Sequence, residues 1–149
     1  MEQRTPIIVI ADDDDDDDDD RLFLKDAFKA CKEEIIVHFV EDGEELMEYL
    51  YRRGSHANSP TGYRPDLIIL DLCMPKRDGF EIIEEIKTDS ELKKIPLLVY
   101  TALGTDENVK RCYDLGVNTV IDKQNTFAKL EQTAKSIYNY WFKAATSNQ

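Results

Sequence analysis

The chain alternates between short apolar runs and longer segments whose apolar residues recur with helical spacing. Runs rich in Ile, Leu and Val that end at turn or polar residues are typical of buried strands. Because most of these runs are apolar throughout rather than alternating, we expect strands that are covered on both faces. Five strands are predicted, at residues 6–11, 35–40, 66–71, 96–100 and 118–122.

Helical periodicity fills the segments between and after these strands. The fourth predicted helix begins at the N-cap candidate Thr105 and runs through Leu115 to Gly116, the usual residue after a helix. Asp78-Gly79 opens the third helix. The apolar face of the first helix carries Leu24, Ala27, Phe28 and Cys31, and that of the second carries Leu46, Met47 and Leu50. The apolar face of the third helix carries Ile82, Ile83 and Ile86. The last helix is predicted over 126–144, and its apolar face carries Phe127, Leu130, Ala134, Ile137 and Trp141.

This order of elements predicts an α/β fold, a doubly wound, five-stranded parallel sheet with helices on both faces. Helices of this length are typical crossovers between parallel strands. We predict one domain over residues 1–149, with a core at about 5–142 and a short polar tail at 146–149. Residues 53–64 are rich in Gly, Ser and Asn and are predicted to form a surface loop.

The net charge of −12 is concentrated in one segment, because residues 12–20 are nine consecutive Asp. Most of that run is expected to be a solvated loop rather than a second cation site. An acidic chain argues against binding to nucleic acid, which depends on Lys and Arg. No apolar stretch approaches the ~18 residues that span a membrane. The three cysteines match no zinc spacing and no signal peptide precedes them, so we expect a cytoplasmic protein with reduced thiols and no membrane partner.

Polar groups follow four of the predicted strands directly. Asp12 and Asp13 follow the first strand, and Asp71 ends the third. Thr101 follows the fourth strand and Lys123 follows the fifth. If the strands are parallel neighbours, their carboxyl ends gather these side chains at the edge where open α/β sheets bind ligands.

The combination suits metal-assisted phosphoryl transfer. An aspartate such as Asp71 attacks phosphorus when a cation neutralises the approaching charge, and Mg²⁺ prefers carboxylate oxygens. A lysine pairs with a phosphoryl oxygen as a compact point charge. Each residue alone has an ordinary role as a turn, strand or surface residue, so the prediction depends on their joint occurrence.

Residues 70–79 resemble the phosphoacceptor motif of response-regulator receiver domains. The acidic pair, Thr101-Ala102 and Lys123 match the other positions of that family, with spacings of 30 residues from Asp71 to Thr101 and 22 from Thr101 to Lys123. The resemblance covers residues 5 to about 142. It implies a flavodoxin-like strand order of 2-1-3-4-5 with five helices.

The resemblance implies that Asp71 accepts a phosphoryl group from a phosphohistidine of a sensor histidine kinase or phosphotransfer protein. Lys123 and Thr101 are the implied contacts of the phosphoryl oxygens. Phosphorylation would shift a two-state equilibrium on the face formed by the fourth helix, fifth strand and fifth helix, for an unknown downstream protein to read. Such a chain is a signalling protein rather than an enzyme, and it is expected to phosphorylate itself from small phosphodonors.

The implied cofactor is Mg²⁺, held by Asp13, Asp71 and the backbone carbonyl of Cys73, with Asp12 acting largely through water. Relatives with a similar opening reach the following arginine about three residues sooner, which leaves the register of the acidic pair open. We take Asp12 and Asp13 because they directly follow the strand, with Asp14 as the alternative.

Two positions near Lys123 depart from the family pattern. Val120 stands three residues before Lys123, where most relatives carry the Tyr or Phe that reports phosphorylation. Gln124 follows Lys123 where a proline is usual, often with a cis bond. Without an aromatic at position 120, the usual coupling between Thr101 and that side chain is in doubt. Without a proline at position 124, the loop after the fifth strand is expected to differ in shape.

Two further positions tune the lifetime of the phosphoryl group in this family. They are Cys73, two residues after Asp71, and Leu103, two residues after Thr101. Neither side chain aligns an attacking water with a strong hydrogen bond. Slow self-dephosphorylation is therefore predicted.

Two other functions stay open. A constitutive adaptor would keep the fold without phosphorylation, which Val120 and Gln124 favour and the retention of Asp71 disfavours. A small phosphatase would use an aspartyl nucleophile, but such enzymes usually carry Asp-x-Asp and a cap domain, whereas Leu72-Cys73 follows Asp71 here.

The chain also resembles the single-domain regulators that partner bacteriophytochrome-type histidine kinases, several of which dimerise. A homodimer through the fourth helix, fifth strand and fifth helix is therefore a further expectation. Tyr138, Tyr140 and Phe142 lie off the main apolar stripe of the last helix. They are either exposed aromatics of such an interface or a cap on the edge of the core.

Overall fold

The computed structural model describes residues 5–12, 18–31, 34–51, 65–74, 77–123 and 126–144. Within these ranges the chain forms a five-stranded parallel sheet in the order β2-β1-β3-β4-β5. The predicted strand order and fold class are confirmed. The strands are β1 (Ile7–Ala11), β2 (Ile36–Val40), β3 (Leu67–Leu70), β4 (Leu97–Thr101) and β5 (Thr119–Asp122).

The helices lie where the periodicity predicts them. They are α1 (Asp18–Cys31), α2 (Gly43–Tyr51), α3 (Gly79–Thr88), α4 (Asp106–Asp114) and α5 (Phe127–Tyr138). A 3₁₀ turn at Leu92–Lys94 had no sequence signal, and the predicted last helix continues beyond Tyr138 as a π-helix over Asn139–Ala144. No helix in the described part of the chain is both long and apolar enough to cross a membrane.

The three central strands are buried on both faces, which explains why their sequences are apolar throughout. Successive side chains of a strand point to opposite faces, so each strand contributes to two cores. One core lies between the sheet and helices α2, α3 and α4, and its strand residues are Val9, Ala11, Ile68, Leu70, Leu97 and Val99. The other core lies between the sheet and helices α1 and α5, and its strand residues are Ile8, Ile10, Leu67, Ile69, Leu98 and Tyr100.

Polar residues fix the starts of three helices. The side chain of Asp78 accepts a hydrogen bond from the Phe80 N–H at 2.9 Å. Thr105 and Thr126 cap α4 and α5 in the same way, each accepting from the N–H three residues later at 3.2 Å. Gly116 ends α4 with φ at 101°, which explains the glycine there.

The apolar face of α5 is shorter than predicted. Leu130, Ala134 and Ile137 are buried, whereas Phe127 in the first turn is 43% exposed. Trp141 is half-buried and packs against the same core from the π-helix. The face that α5 turns to the sheet therefore begins at Leu130.

We expect Ile86→Ala to lower the free energy of unfolding by about 3 kcal/mol, because the fully buried side chain would leave a cavity beneath α3. Urea denaturation followed by circular dichroism measures this loss. Ile36→Ala is the matched control, since Ile36 is 38% exposed on an edge strand and should cost less than about 1 kcal/mol. Equal losses for the two variants would contradict this view of the core.

Candidate functional site

The polar residues at the strand ends are positioned by the sheet itself. The Asp12 N–H donates to the last carbonyl of β2 at 3.1 Å, and the Asp71 N–H donates to the last carbonyl of β1 at 3.0 Å. The Lys123 N–H donates to the last carbonyl of β4 at 3.0 Å. Sheet hydrogen bonding therefore continues one residue beyond the strands and fixes the backbone from which each of these side chains projects.

The structure brings two carboxylates and one ammonium together. Lys123 Nζ lies 2.9 Å from Asp71 Oδ2 and 3.5 Å from Asp12 Oδ1. The side chains of Asp71 and Asp12 are only 7% and 6% exposed, and that of Lys123 is 22% exposed. Two of these three side chains are anionic and one is cationic, so the three together carry a net negative charge in a poorly solvated place. A cation or a developing positive centre would be stabilised there.

The second oxygen of Asp71 is held by the loop that follows β3. Asp71 Oδ1 accepts a hydrogen bond from the Cys73 N–H at 3.0 Å. With Oδ2 paired to Lys123, both oxygens have fixed directions. The same turn brings the backbone of Cys73, an exposed residue, beside the carboxylate.

Thr101 is fully buried at the end of β4. Its Oγ1 accepts a hydrogen bond from the Leu103 N–H at 3.0 Å. This bond uses a lone pair of the oxygen, so it does not consume the hydroxyl hydrogen. Thr101 is thus tied both to Lys123, through its carbonyl, and to the loop that leads into α4.

An open cleft of about 410 Å³ lies beside this group. Gly104 forms part of its wall, and a Cβ there would require the exposed carboxylate of Asp122 to move. No sequence signal pointed to Asp122 or Gly104, since their approach depends on how two loops meet. The cleft is lined by Thr101, Ala102, Gly104, Thr105, Asp122 and Lys123.

A polar network that the sequence did not predict braces the loop after Asp71. Arg77 Nη2 lies 2.7 Å from Glu85 Oε1 of α3. Tyr51 Oη, at the end of α2, donates to Glu85 Oε2 at 3.1 Å. One carboxylate thus links the β3–α3 loop to two helices.

Some predicted site residues are not in the described ranges. Asp13, its alternative Asp14 and Gln124 all lie outside the residues that the structure describes. Among the described residues no group of three His, Cys, Asp or Glu side chains could hold a metal ion. The two buried carboxylates Asp12 and Asp71 are hard oxygen donors that suit Mg²⁺, which takes few protein ligands and keeps several waters.

The predicted tuning residues lie around the site without joining the ion pairs described there. Cys73 is exposed, and Leu103 is 42% exposed on the loop after β4. Val120 is half-buried on the edge strand β5 and packs against the core beneath α4.

The comparisons with known proteins agree with this geometry. A family model described as the response regulator receiver domain matches residues 5–135. The response regulator Rcp1 of Synechocystis sp. is 36% identical over 113 residues, which are 76% of this chain and 74% of Rcp1. A probable chemotaxis protein CheY of Rhizobium etli is 29% identical over 118 residues, which are 79% of this chain and 83% of that protein.

Solved structures give the same result. The phosphorylated cyanobacterial phytochrome response regulator RcpA matches with a TM-score of 0.88 at 35% identity, over 98% of this chain and 100% of RcpA. The Mn²⁺-bound form of Rcp1 matches with a TM-score of 0.84 at 30% identity, over 97% of this chain and 99% of Rcp1.

We expect Lys123→Met to lower the free energy of unfolding by about 2 kcal/mol in the absence of divalent cations, because two buried carboxylates would lose their ammonium partner. Millimolar Mg²⁺ should restore part of this loss by binding the folded state. Thermal and urea denaturation with and without Mg²⁺ measure both effects.

The control is Lys110→Met, which removes a lysine from an exposed pair with Asp114 and should leave stability unchanged within error. The electrostatic explanation would be wrong if Lys123→Met lost the same stability with and without Mg²⁺.

Proposed function

Because the chain belongs to the response regulator receiver domain family, we propose that Asp71 is its phosphoacceptor in two-component signalling. The donor is a phosphohistidine of a sensor histidine kinase or phosphotransfer protein, encountered in the cytoplasm. The observation that carries the proposal is the 2.9 Å contact between Lys123 Nζ and the buried Asp71 carboxylate, with Asp12 beside it. The single-domain organisation over residues 1–149 stays a prediction.

The transfer needs a nucleophile and positive charge at the same point. An oxygen of Asp71 bonds to phosphorus while the bond from phosphorus to the histidine nitrogen breaks, and the imidazole leaves with the electron pair. Lys123 is close enough to move from the carboxylate to a phosphoryl oxygen, where it offsets the added charge. Thr101 retains a hydroxyl hydrogen for a second phosphoryl oxygen.

We propose Mg²⁺ as the cofactor, with Asp12, Asp13, Asp71 and the backbone carbonyl of Cys73 as its protein contacts. When bound, it would neutralise the phosphoryl oxygens and the crowded carboxylates. The support is the pair of buried carboxylates that share one ammonium. A further support is that Rcp1 has been solved in a Mn²⁺-bound form, which indicates a divalent-cation site in a relative.

The likeness to the phytochrome response regulator RcpA suggests a phytochrome-type histidine kinase as the partner. We propose that the signal leaves through the face formed by α4, β5 and α5, by contact with a downstream protein or a second copy of the chain. Of the aromatics considered for a dimer interface, Tyr140 is 57% exposed, whereas Tyr138 is buried and stacks at a tilt on the half-buried Phe142. Tyr140 is therefore the aromatic available to such an interface.

Incubation with acetyl phosphate and Mg²⁺ should add one phosphoryl group to the wild-type chain and none to Asp71→Asn. Intact mass spectrometry measures the adduct, and size-exclusion elution of the same samples reports assembly. Because Asn has nearly the same shape as Asp, Asp71→Asn should remove the nucleophile without disturbing the fold. Absence of an adduct with every divalent cation tested would favour the constitutive adaptor, and continuous turnover of phosphate monoesters would favour a phosphatase.

The phosphoryl group should persist for minutes or longer without a phosphatase, because neither Cys73 nor Leu103 orients an attacking water. Cys73→Asn should shorten the lifetime several-fold, since an amide at this exposed position hydrogen-bonds water beside Asp71. Cys73→Ala is the matched control and should behave like the wild type. Loss of the adduct followed by intact mass gives the lifetime, and decay of the wild type within seconds would contradict the prediction.

A further inference from the structure

The open edge of the sheet at β5 is covered at one point by a tyrosine from α4. In the described part of the chain the sheet order ends at β5, so one side of this strand has no neighbouring strand there. Tyr113, in the last turn of α4, accepts a hydrogen bond on Oη from the Val120 N–H at 3.0 Å. Tyr113 as a whole is 48% exposed. The Tyr113 hydroxyl thus accepts from the Val120 N–H, a backbone donor that would otherwise face solvent at the edge of the sheet.

The direction of the Val120 N–H follows from the register of the strand. Val120 is paired with Val99, and Asp122 with Thr101. The Lys123 N–H donates toward β4, and backbone donors of a parallel strand alternate in direction. The Val120 N–H therefore points away from β4, where only a group from outside the sheet can reach it.

Hydrogen bonds connect the phosphoryl site to α4. Thr101 Oγ1 accepts from the Leu103 N–H, and the Leu103 carbonyl accepts from Asn108 Nδ2 at 2.9 Å. The Asn108 N–H in turn donates to the capping hydroxyl of Thr105. The loop after β4 and the first turn of α4 are thus tied to the threonine that faces the proposed phosphoryl group.

The helix that carries Tyr113 is weakly anchored. All of α4 is described, and Cys112 is its one fully buried side chain. Neighbouring α3 buries four residues over a similar length. A helix with few buried apolar contacts shifts at low cost, so a small pull at its first turn can displace Tyr113 at its last.

We propose that Tyr113 reports the state of Asp71 at the β5 edge, taking the place of the aromatic that position 120 lacks. In the unmodified protein Tyr113 Oη holds the Val120 N–H. When the Thr101 hydroxyl turns to a phosphoryl oxygen, Leu103 and α4 follow and Tyr113 releases the Val120 donor. The Val120 N–H is then exposed to solvent at the β5 edge. This inference rests on the proposed function of Asp71.

Amide exchange measured by NMR tests this coupling in the full chain, with beryllofluoride and Mg²⁺ as the probe for the phosphorylated state. In the wild type the probe should accelerate exchange of the Val120 amide about fivefold, as expected for loss of one hydrogen bond. Tyr113→Phe, which keeps the ring, should show the faster exchange without the probe and no further acceleration with it. Lys110→Met, which changes an exposed side chain of the same helix, should behave like the wild type.

The outcomes separate the coupling from the function on which it rests. If the Leu72 and Thr101 amides shift with the probe while Val120 exchange stays constant, the phosphoryl site is functional and the role of Tyr113 is wrong. Unchanged Val120 exchange in unmodified Tyr113→Phe would also overturn it. If no amide near Asp71 responds to the probe, the proposed function fails and this inference fails with it. The wild-type comparison needs no variant, so misfolding of Tyr113→Phe would not prevent the test.

Discussion

The contact of the Lys123 ammonium with the carboxylates of Asp71 and Asp12 is the interaction on which the site depends. Two carboxylates this close and this buried repel each other unless positive charge lies between them. The ammonium offsets one of these charges, so the three side chains together keep a net negative charge. That charge would attract a divalent cation, and the cation and Lys123 would together offset the charge of an incoming phosphoryl group.

The rest of the fold holds this group at the end of a rigid sheet while leaving one helix free to respond. The central strands are buried on both faces, so the backbones of Asp71 and Thr101 are held by two cores. By contrast, α4 buries little and is tied to Thr101 through the Leu103 loop. The most buried elements thus lie directly below the site residues. The weakly buried helix α4 belongs to the face that would carry the signal.

Apolar patterning was sufficient to predict the strands, and the rule that parallel strands end at one edge then predicted the gathering of Asp71 and Lys123. The order of the strands came from the resemblance to receiver domains, not from the patterning. It was not sufficient for the contact between Tyr113 and Val120, which depends on the rotamer of a half-exposed ring and the shift of a helix along an edge strand. Phe127 was wrongly placed on the buried face of α5 because periodicity cannot tell where a helix first touches its neighbour.

Reduction with sodium borohydride after phosphorylation by a histidine kinase would test the central claim most directly, since hydride converts an aspartyl phosphate to an alcohol and marks the residue that carried it. Peptide mass spectrometry should find the reduced side chain at position 71 alone, and only in samples that contained the phosphodonor. Reduction at another aspartate, or at none despite a phosphorylated kinase and Mg²⁺, would contradict the assignment of Asp71 as the phosphoacceptor held by Lys123.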